Sequence, residues 1–233
     1  MNSPNNSVPV GLQPAAADAA QPAWSDVHIW RQKFRRQFDD IHRIPISPSL
    51  TAWLENHIRA HARPGGAKLT LLDVGASDRQ LEHKLAAVAP LIIYKSQDID
   101  RGRPHDYYDT ATIRDTFDVV VSSEVIEHLD AATKISFVQG LYRLVAPGGW
   151  VVLTTPNAQH PTVFWRDFTH ICPIHHLDLA GLLGRAGFTD VRIVRLARMN
   201  LMKRLRAWWY RGLLRMLHCD YAQTILAAAR KAE

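Results

Sequence analysis

Residues 117–129, FDVVVSSEVIEHL, constrain the fold of this chain more than any other stretch. Phe117, Val119, Val120 and Val121 make a short apolar run rich in β-branched residues, the composition of a strand covered on both faces. Ser122 and Ser123 end the run, and from Glu124 to Leu129 polar and apolar residues fall at helical spacing. A strand buried on both faces belongs in a parallel sheet flanked by helices, so its small polar end lies at the carboxyl edge. Open α/β sheets bind ligands at that edge. Ser122 and Glu124 are therefore candidates for holding a ligand there.

The surrounding chain repeats the alternation. Residues 69–75 predict a strand ending in Gly75. Residues 78–88 predict a helix with Leu81, Leu85 and Val88 inward, and residues 91–98 a strand ending in Asp98. Strand, glycine turn, helix and acid-ended strand make up a mononucleotide-binding half of a doubly wound sheet. The glycine turn lets the backbone approach a ligand closely. Asp98 can accept both hydroxyls of a ribose, with Asp100 as the fallback. Beyond the central stretch, residues 131–144 predict a helix and Ala146-Pro147-Gly148-Gly149 a tight turn. Residues 150–155 then predict a strand, 179–186 a helix closed by Gly187 at its C′ position, and 188–194 a last strand. The expected class is α/β, a doubly wound and mostly parallel sheet with its core over residues 67–196.

A chain of 233 residues, 47% hydrophobic, can bury one core and carry appendages. Cys172 and Cys219 offer neither a disulfide framework nor a metal knuckle, so a reducing compartment, the cytoplasm, is expected. No run approaches the roughly 18 apolar residues of a membrane span, and the N-terminus lacks a signal peptide's pattern. Residues 1–23, with Pro4, Pro9, Pro14 and Pro22 among small polar residues, are expected to be a disordered tail. Residues 24–66 are expected to form N-terminal helices. Ser25 is the candidate N-cap of the first, whose aromatic stripe would pack on the sheet. Ser49 would cap a second, reaching about residue 62.

Phe117-Asp118 at a strand's start, with Glu124-Val125-Ile126-Glu127-His128-Leu129 after it, resembles the fourth motif of class I S-adenosylmethionine-dependent methyltransferases. The Pro147-Gly148-Gly149 turn and Thr154-Thr155-Pro156-Asn157 at the end of the next strand are similar to the same family. The resemblance implies a Rossmann-like class I methyltransferase fold with helical N- and C-terminal additions. It also implies S-adenosyl-L-methionine as cofactor, held by Asp73, Gly75, Ala76, Ser77, Asp98, Ser122 and Glu124, with Asp109 near the adenine. The family's loop reads Asp-x-Gly-x-Gly-x-Gly. Here it is Asp73-Val74-Gly75-Ala76-Ser77-Asp78-Arg79, with Ser77 and Arg79 at two glycine places. A β-carbon disfavours positive φ by roughly 1–2 kcal/mol. The loop is therefore expected to take a different path, with Ser77 touching the cofactor.

Phe164-Trp165-Arg166-Asp167-Phe168-Thr169-His170 resembles a substrate-side segment of methyltransferases associated with polysaccharide and O-antigen synthesis. The plan of the chain is also similar to ubiquinone-pathway O-methyltransferases. Aromatic rings beside charged groups suit a sugar, so Trp165, Arg166 and Asp167 are candidate substrate contacts. The alternative is that Phe164 and Trp165 close the core and Arg166–Asp167 is a surface ion pair. On a helix Glu124, Glu127 and His128 would share one face. His128 is the candidate general base, since an imidazole titrates near 6.5, with Glu127 and His170 beside it. A divalent metal held by these groups stays open.

The net charge of +6 is concentrated late. Residues 191–219 contain eight Arg or Lys and no Asp or Glu. On a helical wheel Leu201, Leu205, Trp208, Trp209, Leu213 and Met216 share a face, with Lys203, Arg204, Arg211 and Arg215 off it. Residues 197–233 are thus expected to form basic amphipathic helices that lie in an anionic membrane surface or cap the sheet. Nucleic acid is disfavoured, because the tryptophans sit on the apolar face and not among the cations. The expected activity is O-methylation of a small-molecule or lipid-linked saccharide in surface polysaccharide synthesis. That would take place in the cytoplasm, or peripherally at the inner membrane face. The alternatives are a quinone-like phenol acceptor, or a non-catalytic protein of the same fold.

Overall fold

A computed structural model describes residues 24–233, so the tail expected over 1–23 lies outside the described residues. In chain order the elements are α1 (Trp24–Phe38), β1 (Ile46–Ser47), α2 (Leu50–Ala60), β2 (Leu69–Val74), α3 (Gln80–Lys84), β3 (Ile92–Gln97) and β4 (Phe117–Ser123). There follow α4 (Ala131–Leu144), β5 (Val145–Pro156), α5 (His176–Arg185), β6 (Thr189–Leu196), α6 (Leu201–Trp209), α7 (Arg211–Met216) and β7 (Thr224–Arg230). The strands form one seven-stranded sheet in the order β1-β6-β7-β5-β4-β2-β3. β3, β2, β4 and β5 run parallel, as do β1 and β6, while β7 is antiparallel to both its neighbours. This is the mostly parallel, doubly wound fold expected.

Strand alternation builds two cores. Val120, Leu72 and Val151 face one layer, with Ile135, Leu141 and Leu179 from α4 and α5. Val119, Val121, Leu71 and Val152 face the other, with Leu54 and Ile58 of α2 and Leu85 and Val88 beyond α3. Ser49 caps α2, its Oγ accepting the Ala52 N–H at 3.1 Å. Ser25 lies inside the first turn of α1 and is not its N-cap. The aromatic stripe of α1 packs on α5 and not on the sheet. A Cβ at Gly184 would lie 2.7 Å from the rings of both Trp30 and Phe34, so this glycine permits the close approach.

Three local expectations are corrected. The helix expected over 78–88 is the short α3 followed by a 3-10 segment, Ala86–Leu91, that contains Pro90. The continuous helix expected after β4 is a single 3-10 turn, Ile126–His128, entered through Glu124 at φ 55°. The turn at residues 146–149 lies within β5 as a bulge, where the β4 register skips from Phe117↔Val145 to Val119↔Trp150.

The largest correction is at the C-terminus. The sheet does not end near residue 196. Ile225–Ala229 is buried between β5 and β6, so α6 and α7 form an excursion between two strands of the sheet. The run Ala227-Ala228-Ala229 lacks the β-branched composition that marks a strand in sequence. Pairing on both sides selects the strand regardless.

Candidate active site

The carboxyl edge of β2 to β5 is built by sharp turns. β2 ends at Val74, and Gly75 takes φ 78°. Any Cβ at Gly75 would overlap Cγ2 of Val125, so the position tolerates only glycine. The Gly75 and Ala76 N–H groups donate to the Gln97 carbonyl at 2.8 and 3.0 Å, tying the loop to β3. Ser77 and Arg79 adopt φ 47° and 59°. Both residues thus hold the left-handed backbone region that ordinarily favours glycine. Local bonds offset the cost. Ser77 N–H donates to Asp98 Oδ2 at 2.7 Å, and Arg79 pairs with Glu82 at 2.9 Å.

An open cavity of about 740 Å³ lies over this loop. Asp73, Gly75, Ala76, Ser77 and Ser123 line it, covered by Leu50, Thr51 and Glu55 of α2 and by Arg198. Volumes of roughly 300–1,000 Å³ are usual for small-molecule sites. Asp73 is buried and accepts the Tyr94 hydroxyl at 2.6 Å, and loss of water around its carboxyl raises its pKa to about 6. Asp98, half-buried at the end of β3, accepts from Ser77 N and Asp100 N. Two acceptor sites of its carboxylate are left unused, but Asp98 is not among the residues that line the cavity. Asp100 lies beyond the end of β3 and turns back onto Gly102 N–H.

Ser122 does not line the cavity, whereas Ser123 does. Residues 119, 121 and 123 of β4 point to the α2 side, while Ser122 points with Val120 into the opposite layer, its buried Oγ without a partner. The period of two along the strand carried that signal. Asp109 is also kept from the cavity lining. Its carboxylate caps the turn Thr110–Thr112, accepting the Ala111 N–H at 2.8 Å.

Beyond Ser123, whose Oγ lies 2.9 Å from Thr154 Oγ1, is a second cluster. Glu127 is fully buried, and neither carboxylate oxygen has a hydrogen-bond partner. Burial raises the pKa of Glu124 and of Glu127, and the charge of Glu127 lifts Glu124 further. His170 Nε2 lies 4.0 Å from Glu127 Oε1, and the rings of His128 and His170 meet at 4.9 Å. His170 Nδ1 is 2.8 Å from the Phe164 carbonyl, and His128 Nδ1 is 3.1 Å from the Thr169 carbonyl. Carbonyls only accept, so each Nδ1 carries a proton and each neutral ring keeps a bare Nε2 lone pair. Donor atoms of Glu127, His128 and His170 lie within 4.8 Å of one another. Two carbonyl-tethered imidazoles beside an orphaned carboxylate form a donor set that fits a divalent cation as well as a proton.

The insertion between β5 and α5 is pinned to this cluster. Ile171 and Cys172 N–H groups donate to the Glu127 carbonyl, and Lys134 Nζ donates to the Leu129 and Cys172 carbonyls. Phe164 is buried against the His170 ring, while Trp165 is 76% exposed and Phe168 97% exposed. Arg166 and Asp167 do not pair with each other. Arg166 bonds Thr162, and Asp167 accepts from Thr169.

A family model described as "Methyltransferase domain" matches residues 26–193, which takes in the glycine turn, the cavity lining other than Arg198, and the histidine cluster. The chain belongs to this methyltransferase family. Among curated proteins, the methyltransferase is 27% identical over 147 residues to a ubiquinone biosynthesis O-methyltransferase of Pseudomonas paraeruginosa. That match covers 56% of this chain and 59% of the relative's length. Among solved structures it is similar in fold to an S-adenosylmethionine-dependent methyltransferase of Archaeoglobus fulgidus, with TM-score 0.59 and 17% identity, covering 86% of this chain and 99% of that one. It is also similar to Haemonchus contortus phosphoethanolamine N-methyltransferase 2, solved with S-adenosyl-L-methionine, with TM-score 0.52 and 16% identity over 91% of this chain and 59% of that one.

Proposed function

We propose that this methyltransferase transfers a methyl group from S-adenosyl-L-methionine to a hydroxyl of a saccharide, either a small molecule or one carried on a lipid. The setting is the cytoplasm or the inner face of its membrane. The reading is supported by the cavity lined by Asp73 to Ser77, together with the imidazoles of His128 and His170, whose rings lie 4.9 Å apart past the carboxyl end of β4. When bound, the cofactor supplies a methyl already activated as a sulfonium. Asp98 would hold the ribose hydroxyls, and the Gly75–Ser77 backbone would hold the methionyl part. His128 Nε2 takes the acceptor's proton as its oxygen attacks. Glu127 and His170, whose donor atoms lie within 4.8 Å of those of His128, position that ring. The rest of the rate comes from holding donor and acceptor in line.

The exposed Trp165 ring offers a stacking face for a sugar, and Arg166 and Asp167 supply hydrogen bonds at its rim. The second acceptor reading, a phenol on a quinone precursor, is supported by the Pseudomonas relative. A second reading of the cluster has Glu127, His128 and His170 hold a divalent cation that orients adjacent hydroxyls, supported by the orphaned Glu127 oxygens.

Titration calorimetry with S-adenosylhomocysteine tests the cofactor site. Binding should be measurable and should weaken in Asp98→Ala. No binding at millimolar ligand would return the chain to a non-catalytic role. With an acceptor panel of sugars and phenols, His128→Ala should lower turnover by roughly 10²–10⁴ at unchanged cofactor affinity. Loss of activity in chelator, restored by a divalent ion, would favour the cation reading over the proton.

A further inference from the structure

The segment between β6 and β7 presents a surface that the methyl-transfer chemistry does not use. α6 and α7 bury no residue fully. Only Ala207 and Leu214 are half-covered, and they line a small cavity against His42, Ile46 and Arg195. Leu201, Met202, Leu205, Tyr210, Leu213, Met216 and Leu217 all stand exposed, with Trp208 at 70% and Trp209 at 76%. The cap on the sheet that the sequence left open is therefore not formed by these side chains. A lone exposed leucine means nothing, but a contiguous patch of this kind marks a docking surface.

The charges select its partner. Arg215 pairs with Asp40, whereas Lys203, Arg204, Arg206 and Arg211 have no ion pair among the described residues. No acid occurs anywhere from 191 to 219. Unpaired cations bordering exposed indoles on two short helices match a bilayer interface with negative headgroups above hydrocarbon. Indole rings favour that depth, with an apolar body and one N–H facing water. No described helix is long and apolar enough to cross a membrane.

We propose that α6 and α7 dock this methyltransferase on an anionic membrane surface. Both helices leave β6 at the carboxyl edge of the sheet, the edge that carries Asp73, Asp98 and Glu124. The last residues of the excursion are bonded to the root of the substrate-side insertion: Gln159 Nε2 donates to the His218 carbonyl, and Asn157 Nδ2 to Asp220. Docking through α6 and α7 would thus bring the site's own edge to the bilayer. The proposal stands apart from the acceptor reading, since the surface would bind lipid whichever hydroxyl is methylated.

The test is co-sedimentation of the full chain with phosphatidylcholine vesicles, with and without about a third phosphatidylglycerol, followed by tryptophan emission. Removing the whole segment is unsuitable because β7 follows it, so point variants are used. The full chain should sediment with anionic vesicles only, release as salt rises, and shift its emission to the blue. Each cation near such a surface is worth roughly a fivefold change in partition. Lys203→Gln with Arg204→Gln and Arg211→Gln should therefore weaken binding about a hundredfold. Trp208→Ala with Trp209→Ala should abolish the blue shift while S-adenosylhomocysteine binding is kept. Equal sedimentation with neutral and anionic vesicles, or no loss in the variants, overturns the proposal. So does a vesicle-free dimer that the tryptophan variants dissociate, which would assign the face to a second copy.

Discussion

Ser77 and Arg79 hold a left-handed backbone without being glycine, and Gly75 holds one where nothing else fits. The distinction lies in the neighbours. Ser77 is exposed and Arg79 half-buried, and they gain bonds to Asp98 and Glu82, whereas Gly75 faces Val125. Gly75→Ala should therefore cost about 1–2 kcal/mol for its backbone alone, and more from the overlap. A thermal melt showing no loss would contradict the packing described. Glu127 makes the opposite prediction. An unpartnered buried carboxylate costs stability when ionised, and burial raises its pKa, so the cost is present above that pKa and fades as pH falls. Glu127→Gln, melted in chelator, should be more stable than the parent at pH 8, with a gain that shrinks toward pH 5, and should lose activity. An equal or lower melting temperature at pH 8 would contradict it. Asp73 and Gly75, which line the cavity, are legible in the sequence because a strand end and a tight turn impose them. Alternation along β4 favours Ser123 over the Ser122 expected from the strand's end. The carbonyl bonds that fix His128 and His170 are not legible, because they come from an insertion whose path no local periodicity records.

Among the elements, β4 and β7 show what a sequence does and does not disclose. β4 is read easily because Val119, Val120 and Val121 belong nowhere but a covered strand. The 3-10 turn after it was misread as a helix, since Glu124, Glu127 and His128 have helical spacing but only one turn forms. β7 was hidden because alanine favours helices when nothing else decides. Its alanines are now explained by crowding: Ala227, Ala228 and Ala229 are all fully buried, between β5 and β6 and beneath helices on both faces. Ala228→Leu should overpack that space and cost roughly 1–3 kcal/mol. Denaturant midpoints measure this, and a neutral result would mean the strand is less tightly covered than described. A chain ending after residue 197 should fail to give a cooperative transition at all.

At the scale of the molecule, the buried His57 and His176 and the half-buried His175 link folding to pH. His57, His175 and His176 each have their pKa lowered to about 4, chiefly by burial, with His61, Arg31 and His175 respectively the nearest added charges. Unfolded imidazoles titrate near 6.5. Between about 6.5 and 4 the unfolded chain binds more protons, so the stability these residues contribute is whole above that window and lost on descending through it. Asp73, Glu124 and Glu127 have raised pKa values and act in the opposite sense. Urea midpoints should thus fall with acid, and fall more steeply in Glu127→Gln, where one opposing group is gone. Midpoints that hold steady in that variant down to pH 4 would contradict the assignment. The antiparallel β7 also sets an order of events during synthesis on the ribosome. β5 and β6 have each other's missing neighbour in residues 224–230, so until those residues emerge the nascent sheet stands in two parts, each with an unpaired edge open to other chains. The two parts join into one continuous seven-stranded sheet only once residues 224–230 have emerged and paired with both.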